Sequence, residues 1–199
     1  MRALRRDLQA ALVALVVFTV VLGLGYPLLV TGVAQLAFPH AANGSLVHDG
    51  AGRVVGSRLL GQDFRGQKGY FQSRPSQSGY SASATFFSNA GPNGADTRAT
   101  TAANARAYLR RERRYDPALT RAAIPPDAVQ TSASGVDPHI SRANARIQAH
   151  RVALARGLPL ARVDALVDAH VDGRGLGLFG EPGVNVLELN LALEKETAR

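Results

Sequence analysis

The sequence predicts an α+β protein: one N-terminal transmembrane helix followed by a mixed α+β extracytoplasmic domain. Three observations carry that expectation. From Leu8 to His48 there is no Asp, Glu, Lys or Arg. Short β-branched runs such as Leu46-Val47-His48 and Val184 to Leu187 follow, set off by glycines. Between them lie helical stretches closed by Gly157 and by prolines.

The anchor comes first. A bilayer core of about 30 Å takes about 20 helical residues, and Ala10 to Val30 supplies them before Thr31 to Phe38 is counted. A cleaved signal peptide has an apolar stretch of only about 7 to 15 residues ending in small side chains. Leu36-Ala37-Phe38-Pro39 lacks that form, so the span is expected to stay in the chain. Arg2, Arg5 and Arg6 precede it against the single acid Asp7, which predicts a cytoplasmic N-terminus. Everything from about His40 onward then lies outside, in a bacterium the periplasm, with the chain a single-pass protein of the inner membrane. Gly25-Tyr26-Pro27 interrupts the helix. Pro27 has no N–H and crowds the preceding turn, so a kink or an early end is expected there, and the nearby glycines allow a second helix to approach. The division is residues 1–38 for the cytoplasmic end and anchor and residues 39–199 for one exported domain.

In that domain, Leu46-Val47-His48 and Val54-Val55 flank a glycine turn and predict a hairpin. Tyr70 to Arg74 has aromatics suited to a half-buried pleated surface. From Pro75 to Gly94 the composition shifts to Ser, Gly, Asn and Pro, a loop that Tyr80, Phe86 and Phe87 are expected to pack down. Asp96 or Thr97 caps a predicted helix to about Arg114, with Arg106, Arg110 and Arg114 on one solvated or lipid-facing side. Asp137 is the expected N-cap and Pro138 the first residue of the next helix, whose apolar stripe is Ile140, Ala143, Ile147 and Leu154, ending at Gly157. Pro159 to about Val171 gives another helix. A strand at Val184 to Leu187 and a closing helix from Asn190 complete the order.

The 199 residues contain no cysteine, so disulfides, thiolate metal sites and a Cys nucleophile are excluded. The net charge of +8 is carried by scattered arginines, with Lys68 and Lys195 the only lysines, and no nucleic-acid partner is expected. There is no phosphate loop and no HExxH. Ser132, Ser134, Asp137 and His139 are the residue types of a nucleophilic hydrolase, but they are close neighbours in sequence and Asp137 is expected to be occupied as a cap. A metal site using His139, His150 or His170 with Asp137, Asp168 or Asp172 is not expected either, because His150 lies about 16 Å along the helix from His139 and His170 could join His139 only through the tertiary fold. Gln148 lies on the polar side of the long helix with Ser141, Asn144 and Arg151, a stripe expected to be solvated or to meet a partner or a phosphate-bearing ligand.

Taken in order, a set of segments resembles one family. It starts with Gly25-Tyr26-Pro27 in the span, then Leu60-Gly61-Gln62, Tyr70-Phe71, Arg74-Pro75-Ser76 and Gly91-Pro92-Asn93. It continues through Ser132-Ala133-Ser134-Gly135-Val136-Asp137-Pro138-His139, Gln148 and Arg151, and closes with Gly180-Glu181-Pro182 and Val184 to Leu187. The resemblance is to the KdpC family, the C subunit of the potassium-transporting Kdp P-type ATPase, and it covers the whole chain. Phe86-Phe87 and Val136 depart from the family pattern. The resemblance implies a non-catalytic accessory subunit and two partners: a channel-like potassium-translocating subunit and an ATP-hydrolysing P-type subunit. It implies that potassium is the transported ion, that no cofactor is bound firmly, and that ATP enters only through the complex. It also implies a catalytic chaperone that raises ATP affinity, with nucleotide contact at Gln148 and an interaction segment at Ser132, Ser134, Gly135, Asp137, Pro138 and His139. The charge bias sets Gln148 across the membrane from ATP, so coupling through the anchor and the exported domain is the competing expectation. The rival classes are an anchored periplasmic enzyme using Ser134, Asp137 and His139, and a tethered binding module outside any pump.

Overall fold

The computed structural model describes residues 1–83 and 89–197. The chain forms two compact units, Met1–Leu46 and Val47–Arg199. Phe86 and Phe87, read above as loop anchors, lie outside the described residues.

In the first unit a continuous helix, Arg2–Ala37, is long and apolar enough to cross a membrane. It comprises α1 (Arg2–Phe18), a wider π-helical stretch (Thr19–Gly25) and α2 (Tyr26–Ala37). Pro27 stands in the first turn of α2 and does not end the helix. A proline ring crowds the carbonyl four residues back and donates nothing to it. Here the preceding turn widens, and the Tyr26 N–H reaches five residues back to the Val21 carbonyl. A short turn, α3 (Pro39–Ala42), follows.

From the boundary onward, β1 (Leu46–His48) and β2 (Val54–Ser57) pair across a turn held by Asp49, whose Oδ1 accepts the N–H groups of Ala51 (2.9 Å) and Arg53 (3.0 Å). Helix α4 (Ala95–Glu112) leaves Arg106 and Arg110 exposed. A three-stranded antiparallel sheet has the order β3 (His139–Ile140), β5 (Gly183–Asn185), β4 (Val171–Asp172). Three further helices pack in sequence: α5 (Arg142–Arg156) on α6 (Leu160–Ala169), and α6 on α7 (Val186–Thr197). Their shared core contains Phe71, Ala149, Val152, Val163, Val167, Val184, Leu189 and Leu193. Each large apolar side chain buried there stabilises the fold by about 1.5–3 kcal/mol. A second cluster, with Tyr108, Leu119 and Val129, lies between α4 and the following loop.

Several sequence expectations change. Asp137 does not cap a helix; its Oδ1 accepts the His139 N–H at 3.0 Å, a local turn, and α5 starts five residues later behind Ser141. The Ser141 hydroxyl takes the Asn144 N–H at 3.1 Å, the N-cap bond expected of Asp137. Pro138 is therefore not a first helical residue. The expected apolar stripe of α5 is also displaced: Leu154 is exposed, and the buried face runs through Asn144, Ala145, Gln148, Ala149, Arg151 and Val152. Gly157 ends α5 at φ +67, and the Leu158 N–H returns to the Ala153 carbonyl at 3.0 Å. Helix α7 begins at Val186 rather than Asn190, and Tyr70 to Arg74 joins no strand ladder.

Candidate functional site

Two polar clusters emerge, and the motif residues divide between them. The first is a buried clamp around Tyr70 to Gln72. That extended segment lacks a neighbouring strand, so side chains satisfy its backbone. Asn190 accepts the Phe71 N–H (2.8 Å) and donates to the Phe71 carbonyl (3.0 Å). Gln148 does the same for Gln72: its Oε1 accepts the N–H (2.8 Å) and its Nε2 donates to the carbonyl (3.1 Å). The Gln148 amide also donates to Asn144 Oδ1 (3.0 Å) and accepts from Arg151 Nη2 (2.8 Å), and the residue is 1 % exposed. Both of its donors and both acceptor positions are thus used within the protein. The stripe of Asn144, Gln148 and Arg151, expected to be solvated, is interior: Gln148 and Arg151 meet main-chain groups of Lys68 to Gln72, and Asn144 meets Tyr108, Asp127 and Gln148.

Arg151 completes the clamp. Its Nη1 donates to the carbonyls of Lys68 (2.6 Å) and Tyr70 (2.9 Å), and its Nε pairs with Glu112 at 3.1 Å, with both side chains buried. Burial pushes the Arg151 guanidinium below its ordinary pKa, and the Glu112 carboxylate opposes that shift. Tyr108 donates to Asn144 Oδ1 at 2.8 Å. Burial pushes its phenol well above the usual range, which keeps the proton on the donor. Sequence reasoning missed Glu112, Tyr108 and Asn190. The available signal was the lone acid in Arg110-Arg111-Glu112-Arg113-Arg114, a carboxylate surrounded by guanidinium groups.

The second cluster is an open, charged cleft of about 640 Å³ built by the segment after Ser132 and by the strands β3 and β4. His139 Nε2 lies 2.9 Å from Asp172 Oδ2, and its Nδ1 lies 4.0 Å from Asp137 Oδ1. Arg58 bridges Asp172 (2.7 Å) and Glu188 (3.0 Å), and these carboxylates, Glu188 foremost, raise its pKa. Arg74 pairs with Asp137 at 2.8 Å. Two glycines let the segment pack closely. At Gly61, whose N–H donates to the Val136 carbonyl at 2.6 Å, an added Cβ would run into the Asp137 carbonyl. Gly135 has φ +75, and its carbonyl accepts the Ser76 hydroxyl at 2.6 Å. Asp127 fixes the near wall by accepting from Ser141 N (2.8 Å), Ser141 Oγ (2.7 Å) and Asn144 Nδ2 (2.9 Å). The Pro138 carbonyl accepts the Val186 N–H at 3.0 Å, tying the segment to α7.

The structure thus brings Asp137 and His139 together but places the two serines elsewhere. Ser132 is buried, with its N–H on the Pro75 carbonyl at 3.2 Å, and the Ser134 hydroxyl accepts the Val136 N–H at 3.2 Å. Neither hydroxyl hydrogen-bonds to the imidazole. His170 Nδ1 donates to the Leu166 carbonyl at 2.8 Å and closes α6. Among the described residues no group of three or more His, Asp or Glu side chains is placed to hold a metal ion.

A helix fit to span a membrane, joined to a small α+β unit with a charged cleft and a saturated buried clamp, defines the class: a candidate single-span membrane protein with an α+β domain. The family model described as KdpC, the c chain of K+-transporting ATPases, matches residues 8–195. The chain belongs to that family. It is 54 % identical over 189 residues to the potassium-transporting ATPase KdpC subunit of Caulobacter vibrioides, covering 94 % of this chain and 92 % of that one. The KdpC subunit of Myxococcus xanthus is 52 % identical over 187 residues, covering 93 % and 86 %. That of Mycobacterium tuberculosis is 48 % identical over 194 residues, covering 96 % and 100 %.

Proposed function

We propose that the chain is the accessory, non-catalytic subunit of an ATP-driven potassium uptake complex, anchored in the inner membrane with its α+β unit outside. Its partners are a channel-like potassium-translocating subunit and a P-type subunit that hydrolyses ATP. It assembles the complex and, as a catalytic chaperone, raises the ATP affinity of the hydrolysing subunit. The observation that carries the reading is membership of the KdpC family over residues 8–195. The cleft accords with it: Arg58 and Arg74 pair with Asp172 and Asp137 beside His139, and the Ser134 hydroxyl accepts the Val136 N–H.

The place of Gln148 favours an indirect effect on nucleotide. An amide committed to Gln72, Asn144 and Arg151 holds the domain together, so ATP affinity responds to the folded state of the domain, by favouring one conformation of the pump. The test is to purify the complex through a tag on this chain and measure potassium-stimulated ATP hydrolysis, with its ATP dependence, in the presence and absence of the subunit. The expected result is co-purification of both partners, with lost assembly or a raised KM for ATP when the chain is omitted. An unchanged pump without it would sink the proposal.

A further inference from the structure

Between β4 and β5 the chain runs Gly173-Arg174-Gly175-Leu176-Gly177-Leu178-Phe179-Gly180, and it is tightly built. The Gly175 N–H donates to the Phe179 carbonyl (2.8 Å) and the Phe179 N–H donates back to the Gly175 carbonyl (2.9 Å). The N–H groups of Gly177 and Leu178 donate to the carbonyls of Arg174 (3.0 Å) and Gly175 (3.0 Å). This turn holds Leu176, Leu178 and Phe179 in solvent at 91 %, 77 % and 67 % exposure. Leu176 sits at φ +51, a conformation unfavourable for leucine. Strain and self-hydrogen-bonding together present three large apolar side chains to water, which marks an interaction surface.

The two ends of the loop, Gly173 and Glu181, line the charged cleft, so the apolar finger and the cleft form one face. The cleft, counted with the groups that pair into it, is acidic in balance: Asp127, Asp137, Asp172, Glu181 and Glu188 against Arg58, Arg74 and the finger's own Arg174, which lies 3.3 Å from Glu181. We propose that this face is where a partner subunit of the ATPase docks, and that the docking element is a protein segment carrying a lysine or arginine beside apolar residues. This rests on the pump-subunit reading and adds to it the surface and the chemistry of the contact. Charge decides against lipid as the occupant. An acidic cleft beside the finger is repelled by anionic headgroups, whereas a basic side chain entering it is attracted while its apolar neighbours cover Leu178 and Phe179.

The test is recovery of the other subunits through a tag on this chain, comparing wild type with Leu178→Asp/Phe179→Asp and with Glu181→Lys. The double variant should lower recovery by about tenfold or more with an unchanged melting curve, since both side chains are exposed. Should it melt early, Leu178→Ser/Phe179→Ser carries the same expectation. Glu181→Lys should lower recovery most at low salt. Undiminished recovery by both double variants, with wild type bringing the subunits down, overturns the proposal; failure of wild type to bring them down overturns the pump reading as well. The chain has no tryptophan, so Phe179→Trp gives a lone reporter. With the chain alone in phosphatidylcholine/phosphatidylglycerol vesicles, its emission should be that of a hydrated indole. Quenching by brominated lipid would assign the finger to the membrane and overturn the protein partner.

Discussion

Replacing Gln148 by Ala separates a clamp from a ligand contact. The substitution removes the acceptor of the Gln72 N–H and one acceptor of Arg151, both in the interior. A buried donor left unsatisfied costs about 1–3 kcal/mol, more when charged, and the lost methylene adds about 0.8 kcal/mol. The expected destabilisation is therefore about 3–6 kcal/mol. For a domain of this size each kcal/mol lowers Tm by about 2–4 °C, which puts the loss at roughly 6–24 °C. The assay is thermal unfolding of the full chain in mild detergent, followed by circular dichroism. Asn190→Ala, which removes the equivalent pair of bonds to Phe71 but no charged partner and no methylene, is the control and should cost less, about 1–3 kcal/mol. A Gln148→Ala protein that melts like wild type yet raises the KM for ATP in the assembled pump would refute this reasoning and make Gln148 a nucleotide contact.

Glu112→Gln leaves the Arg151 cation buried without its counter-charge and should cost about 3–5 kcal/mol in denaturant titration. Replacing both, Glu112→Leu with Arg151→Met, should recover part of that loss, less the carbonyl bonds to Lys68 and Tyr70. Gly135→Ala forces φ +75 on a side chain that meets Ser78, and should lower stability by about 1–3 kcal/mol, of which adding Ser78→Ala returns only the steric part. Asp168 has its pKa held below the usual carboxylate value, first by the hydrogen bond from Arg142. A depressed folded-state pKa contributes stability above the unfolded value, about 3.9, that disappears as pH falls through the folded value. Asp168→Asn should thus melt below wild type near neutral pH, with the gap closing as pH falls below the unfolded carboxylate value and narrowing in high salt. A gap independent of pH would exclude the ion pair as its source.

Elements with strong local signals were legible. The helix long and apolar enough to span a membrane follows from an apolar run without charges, the end of α5 from Gly157, and the start of α6 from Pro159. The start of α5 was not, because Asp followed by Pro suits a helix cap and an Asx turn equally; the choice depends on which N–H lies near the carboxylate, and that of His139 does. Strands β3 and β4 are two residues each, too short for any period to register. The burial of Asn144, Gln148 and Arg151 was illegible for a deeper reason. A polar stripe predicts solvent unless unpaired backbone lies opposite, and the segment that supplies it, Tyr70 to Gln72, is more than seventy residues away in sequence. Asp137, His139 and Asp172 were recognisable as residues that could meet, while Arg58 and Glu188, which complete the cluster, were not, for the same reason.

The two polar clusters obey opposite energetics, and that decides what a substitution in each will report. In the clamp the side chains of Glu112, Asn144, Gln148, Arg151 and Asn190 are buried and paired, so removing any of them exposes a desolvation cost and reads out as stability. In the cleft the ion pairs of Arg58, Arg74 and His139 keep a quarter to two-fifths of their side-chain surface in water. Such pairs contribute about 0–1 kcal/mol each. A charge change at Asp172 or Arg74 should leave the melting curve nearly in place while altering whatever meets the cleft. If cleft variants instead unfold the domain and clamp variants leave it intact, the roles assigned to the two sites are reversed.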